Sequence, residues 1–119
     1  MANQHSIVIH VTTDETGGWQ TALRNLGNLV SDESVPTPTG RMQVVVNGPA
    51  VRFLLASSPD ARKLTRMTDA GVTVDACENS LSRFGYDPDD LAPGVTTVTS
   101  GVAEAVRAQQ GNTSYLKLP

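Results

Sequence analysis

Cys77 is the residue of this chain best placed to do chemistry. It is the only cysteine among 119 residues, and it follows Val72 to Ala76, an apolar, β-branched run that reads as a strand. Cys77 to Phe84 reads as a helix, with Leu81 and Phe84 on one side and Gly85 as its stop. A thiol at a strand-to-helix junction meets the unpaired backbone N–H groups of the helix start. Their partial positive charge favours the thiolate and lowers the thiol pKa. A thiolate attacks sulfur, metals or electrophiles. Glu78 opposes this if its carboxylate points the same way. The plainer alternative is a small buried hydrophobe packed under a helix.

Other residues could share a site with Cys77, because ligands of open parallel sheets gather at the carboxyl ends of the strands. Asn47-Gly48-Pro49 ends one strand and could offer a backbone cradle and an amide; it could equally be a tight turn with Pro49 in the first turn of a short helix. Asn79 could bind a ligand or cap a helix. Ser100 and Gly101 could hold an anion at a helix start, or Ser100 could simply be a cap. His5 and His10 are an odd number of residues apart on one strand, which puts them on opposite faces and rules out a shared metal site. His10 could assist Cys77 from a neighbouring strand, or be an ordinary buried histidine. No Cys/His cluster has zinc-ligand spacing, and neither a phosphate-binding loop nor a dinucleotide fingerprint is present. Asp87, Asp89 and Asp90 fit turn chemistry, since a calcium loop needs a longer alternating pattern with a distal Glu.

The elements that must position these residues can be read along the chain. Ser6 to Val11 is a nearly continuous apolar strand, suited to a central place covered on both faces. Thr12 to Gly18 is a polar turn, and from Trp19 the residues Ala22, Leu23, Leu26, Leu29 and Val30 mark an amphipathic helix. Ser31 to Gly40 is a loop, Met42 to Val46 a strand, and Val51 to Ala56 a short helix. Ala61, Leu64, Met67 and Ala70 mark the next helix, capped by Gly71. After the Cys77 helix, Tyr86 to Gly94 is a turn-rich connector and Val95 to Val98 a strand. Ser100 caps a helix running to about Gln110, with Val102, Ala105 and Val106 inward. Tyr115 to Leu118 is the last strand. Strict alternation of strands and helices predicts an α/β fold, a three-layer α/β/α sandwich around a five-stranded, mainly parallel sheet, with residues 1–119 as one domain.

Composition bounds the function. Hydrophobic residues are 39% and charged residues 18% of the chain, a balance that builds a core and excludes disorder. The net charge of −3 gives no basic footprint for nucleic acid; Arg62, Lys63 and Arg66 read as a solvated helix face. One cysteine allows no internal disulfide, which excludes a secreted disulfide scaffold and favours the cytoplasm. Met1 to Val11 lacks Lys and Arg, and its apolar run is too short for a signal peptide. No stretch reaches the length of a membrane span.

Several segments together resemble the DsrE family of small sulfur-related proteins. They are Ile7 to Val11, Ala22 to Leu29, Val46-Asn47-Gly48-Pro49-Ala50-Val51, Gly71 to Leu81, Leu91 to Val95, Ser100 to Glu104, Gln109 to Gly111, and Tyr115. The resemblance runs through nearly the whole chain in order. It implies a five-stranded α/β/α domain assembled as an oligomer, and a homo-oligomer (trimer or hexamer) is expected here. Well-understood members carry sulfur as a cysteine persulfide in sulfur oxidation or tRNA thiolation, and their working cysteine matches Cys77. Sulfur-relay members usually start the following helix with small, alanine-rich sequence. Cys77-Glu78-Asn79-Ser80-Leu81 is closer to the broad, uncharacterised DsrE-like branch.

The resulting expectation is a persulfide carrier or sulfurtransferase-like protein. Cys77 is the acceptor, and Asn47, Gly48, Pro49, Glu78 and Asn79 form the substrate pocket, with no metal or cofactor required. One cysteine leaves no resolving thiol in the chain, so sulfur must pass to a donor or acceptor protein or a small thiol. The alternatives are a non-catalytic small-ligand-binding module and a structural oligomer subunit with Cys77 buried.

Overall fold

Five strands pair into one sheet in the computed structural model, which describes residues 5–119. They are β1 (Ser6–Val11), β2 (Met42–Val46), β3 (Thr73–Cys77), β4 (Thr96–Val98) and β5 (Thr113–Leu118). Their order is β4-β3-β2-β1-β5, and every pairing is parallel. Parallel neighbours need crossovers, supplied by α1 (Thr16–Ser31), a 3₁₀ stretch (Gly48–Leu54) with α2 (Ala61–Asp69), α3 (Glu78–Arg83) and α4 (Gly101–Ala108). The α/β expectation holds, and the sheet is wholly rather than mainly parallel.

The two faces of the sheet differ in chemistry. Ile9, Val11, Val44, Val46, Val74 and Ala76 form one apolar core with Trp19, Leu23 and Leu26 of α1, Leu64 of α2 and Leu81 of α3. Burying each large side chain there contributes roughly 1.5–3 kcal/mol. Trp19 stacks on Phe53 with ring centroids 5.0 Å apart. Beside them the buried Asp60 carboxylate accepts from Trp19 Nε1 at 3.1 Å and from Gln20 Nε2 at 2.8 Å, and it lies 3.6 Å from Lys63 Nζ.

The alternate strand residues face the other way, onto α4, and several are polar. Gln43 Nε2 donates to Asp75 Oδ2 at 2.9 Å and to Glu104 Oε2 at 3.0 Å. Thr96 Oγ1 donates to the same buried Asp75 at 2.5 Å. The Gln43 amide, with help from Arg107, holds the Glu104 carboxyl below its ordinary pKa despite some burial. One amide thus bridges the sheet to α4. This overturns the expected orientation of α4. Ala105 is buried, but Val102 and Val106 are each 59% exposed, because the helix settles on a polar face through its small residues and Glu104.

Other differences have local causes. α1 begins at Thr16, inside the expected turn. The segment after Asn47 winds as a 3₁₀ stretch over Gly48–Leu54 rather than a helix over 51–56. Leu55 instead forms an antiparallel bridge to Leu91, and Ala56 N–H donates to Asp90 O at 2.8 Å. Phe84 is 40% exposed whereas Leu81 is buried. α4 stops at Ala108. Asp87, Asp89 and Asp90 do form a turn, in which Asp87 and Asp90 make a reciprocal capping box. Arg62, Lys63 and Arg66 lie exposed on α2. Among the described residues no helix is long and apolar enough to cross a membrane.

Candidate functional site

β3 ends on Cys77, which also stands at the N-cap of α3. Strand alternation puts its side chain on the face of Asp75, the face that α4 covers, and Cys77 is 4% exposed. Burial alone pushes the thiol up. Against it act the Ser80 hydroxyl and the backbone N–H groups of Gly101, Ser80 and Asn79, and together they bring the thiol below its ordinary value. Donors from two helix starts therefore favour the ionised sulfur.

Each donor has a local cause. Gly101 opens α4 where Asn47 and Cys77 press against it: a Cβ there would lie 2.8 Å from Asn47 Cβ and 3.3 Å from Cys77 Cβ. Only glycine lets α4 begin this close. Ser100 caps the same helix, accepting from Ala103 N–H at 3.2 Å. Ser80 is buried, and its Oγ accepts from the Gly48 N–H at 2.7 Å. With that lone pair taken, the hydroxyl proton is left for the sulfur. Gly48 has φ +72°, a left-handed conformation that favours glycine. Of Asn47-Gly48-Pro49, where a ligand cradle was expected, the Gly48 N–H supports Ser80, and through Ser80 the sulfur.

Ser80 is the residue that reading the sequence for site chemistry passed over. Its signal was its place three residues after Cys77, where a helix start brings side chains onto one face. Ser80→Ala is expected to slow alkylation of Cys77 at neutral pH roughly tenfold, the loss of one hydrogen bond to a charged group. A pH–rate profile should show the wild-type midpoint below that of a free cysteine and the variant midpoint above the wild type. Superimposable profiles would remove Ser80 from the site.

The other expected site residues divide. Asn47 comes close to Cys77 through Gly101, as above. Pro49 is exposed in the first turn of the 3₁₀ stretch. Glu78 is exposed and accepts from Thr97 Oγ1 at 2.6 Å, and no carboxylate is among the groups that set the Cys77 ionisation. Asn79 has an exposed side chain that makes no capping bond to α3; its N–H donates to Thr99 O at 3.3 Å and is the smallest contributor at the sulfur. His10 does not reach Cys77 from a neighbouring strand, since β2 lies between β1 and β3. Its ring Nε2 instead meets Asn47 Oδ1, and its Nδ1 lies 2.6 Å from the Tyr115 hydroxyl. His5 engages Asn112 and Ser114. Among the described residues the two histidines share no hydrogen-bond partner.

No known family model matches the sequence, and no curated protein matches it. Solved structures do. YchN of E. coli is 19% identical, with a TM-score of 0.77 over 97% of this chain and 100% of its own, a likeness of fold. MTH1491 of Methanobacterium thermoautotrophicum, a protein of unknown function, is 30% identical, with a TM-score of 0.85 over 96% of this chain and 99% of its own. At that identity, over nearly the full length of both, this chain belongs to the same family of small α/β proteins as MTH1491.

Proposed function

We propose that this protein is a persulfide carrier of the DsrE type, acting through Cys77 in intracellular sulfur metabolism. What supports this reading is the placing of the buried Cys77 at the start of α3, with Ser80 beside it and the start of α4 against it, a setting that outweighs burial and lowers the thiol pKa. A packing cysteine needs no such setting. In the transfer step the Cys77 thiolate attacks the outer sulfur of a donor persulfide, R–S–SH. A new S–S bond forms, the donor S–S bond breaks, and R–S⁻ leaves with its electron pair. Cys77 ends as Cys77–S–SH, and no external oxidant or reductant is needed. A second thiolate then takes the outer sulfur by the same displacement. The chain holds one cysteine, so that thiolate belongs to a partner protein or a small thiol. Homo-oligomeric assembly as a trimer or hexamer belongs to the same reading, and the exposed Val102 and Val106 of α4 are apolar surface available to it.

Intact-protein mass spectrometry after brief exposure to a sulfane-sulfur donor tests the proposal. The wild type is expected to gain the mass of one sulfur atom, reversed by a reductant, and Cys77→Ser to gain none. No adduct on a folded protein whose thiol still alkylates would sink it. The 4% exposure of Cys77 favours a second reading, a structural subunit with an inert thiol. Under that reading native alkylation is slow and becomes fast only after denaturation.

A further inference from the structure

We propose that His10 is a positioning residue, which holds the Asn47 side-chain amide as a hydrogen-bond donor to the sulfur carried on Cys77. The inference rests on the persulfide reading and adds a residue to it. Asn47 Cγ and Cys77 Cβ lie 3.4 Å and 3.3 Å from one point, the place a Gly101 side chain would occupy. Asn47 is therefore the side chain beside Cys77 across the start of α4. Its Oδ1 is held by His10 Nε2, while among the described residues its Nδ2 has no partner. A carbonyl oxygen only accepts, so this orientation of Asn47 goes with a His10 proton on Nε2. The bare Nδ1 then accepts from the Tyr115 hydroxyl at 2.6 Å; a hydroxyl both donates and accepts, so Tyr115 steadies the ring without choosing its tautomer.

The direction of this relay matters chemically. On loading, the inner sulfur of Cys77–S–S⁻ stays with the Ser80, Gly101 and Asn79 donors, and the negative outer sulfur sits one S–S bond beyond them. A donor amide there stabilises the charge; a carbonyl oxygen repels it. The two ends of an asparagine amide have almost the same shape, so packing does not choose between them, but the proton on His10 does. If the proton moves to Nδ1, bare Nε2 calls for the Asn47 amide nitrogen. The side chain turns over and its oxygen replaces the donor.

The test combines a spectroscopic and a kinetic readout on the full chain, with an inorganic polysulfide as sulfur donor. Imidazole ¹⁵N shifts are expected to show His10 protonated on Nε2 and bare on Nδ1. Asn47→Ala and His10→Phe should each slow persulfide formation roughly tenfold, the loss of one hydrogen bond to a charged group, and the double variant no further. Tyr115→Phe alters a 40% exposed side chain and should fold normally. It frees one edge of the His10 ring and should lose part of the rate, and with Asn47→Ala it keeps the test open if His10→Phe does not fold. Losses in sulfur loading should exceed any loss in alkylation by iodoacetamide in every variant, because Asn47 is not among the donors to the resting thiol. A wild-type Nδ1–H tautomer, unchanged loading in Asn47→Ala, or additive losses in the double variant would overturn the inference alone. A wild type that alkylates but takes up no sulfur would overturn the persulfide reading and this role with it.

Discussion

Gly101→Val is expected to destabilise the fold by roughly 1–3 kcal/mol and to return the Cys77 thiol towards the behaviour of a free cysteine. The Cβ alone would lie 2.8 Å from Asn47 Cβ, an atom fixed close to the backbone that cannot swing aside, and 3.3 Å from Cys77 Cβ. Replacing glycine inside a helix gains at most about 0.5 kcal/mol of helix propensity here, so the clash wins. Relief comes by lifting the start of α4, which carries the Gly101 N–H away from the sulfur. Urea melts and the pH dependence of alkylation measure both effects. Sulfur uptake should fall more than tenfold, with Gly101→Ala in between. A valine variant that melts and reacts like the wild type would show that α4 does not define the thiol environment.

Asp60→Ala is expected to cost about 2–4 kcal/mol, because it strips the acceptor from a buried indole N–H and a side-chain amide together. Trp19 is 1% exposed, so water cannot take over, and the stack on Phe53 keeps the ring from turning towards another acceptor. The Lys63 pair on the same carboxylate is half in solvent and contributes little. Asp60→Asn, which keeps an acceptor oxygen, should recover most of the loss. Asp60 serves the apolar core on the far side of the sheet, so alkylation of Cys77 in the folded variant should match the wild type. A melt within about 0.5 kcal/mol of wild type would show that Trp19 finds another partner.

The strands were legible because runs such as Ile7 to Val11 and Val44 to Val46 carry the signature of a sheet covered on both sides. Their ends were not, where pairing decides them. Thr113 and Ser114 have no apolar signal, yet they join β5 because Ser6 and Ile7 lie opposite. The orientation of α4 was misread for a related reason. Hydrophobicity points Val102 and Val106 inward, but the surface beneath carries His10, Gln43 and Asp75, contributed by three strands far apart in sequence. The place of Cys77 at a junction was visible, whereas the serine three residues on was passed over although its spacing marked it. The third source of donors, Gly101, arrives by the crossover from β4 to β5, and the relay from Tyr115 through His10 to Asn47 joins β5, β1 and the end of β2. Such contacts are products of topology, and local spacing does not encode them.

The docking of α4 over Cys77 also makes ionisation and folding two sides of one equilibrium. Because the folded thiol loses its proton more readily than the unfolded one, the thiolate adds stability that is fully present above the unfolded pKa and is lost as the pH falls through the folded pKa. The Gly101 N–H carries the α4 share of this: lifting the start of α4 weakens the thiolate, and protonating the sulfur weakens the hold on the start of α4 by the same amount. An anion kept on Cys77 acts as an internal ligand for the last crossover of the chain. A reagent that neutralises it removes that contribution from both helix starts.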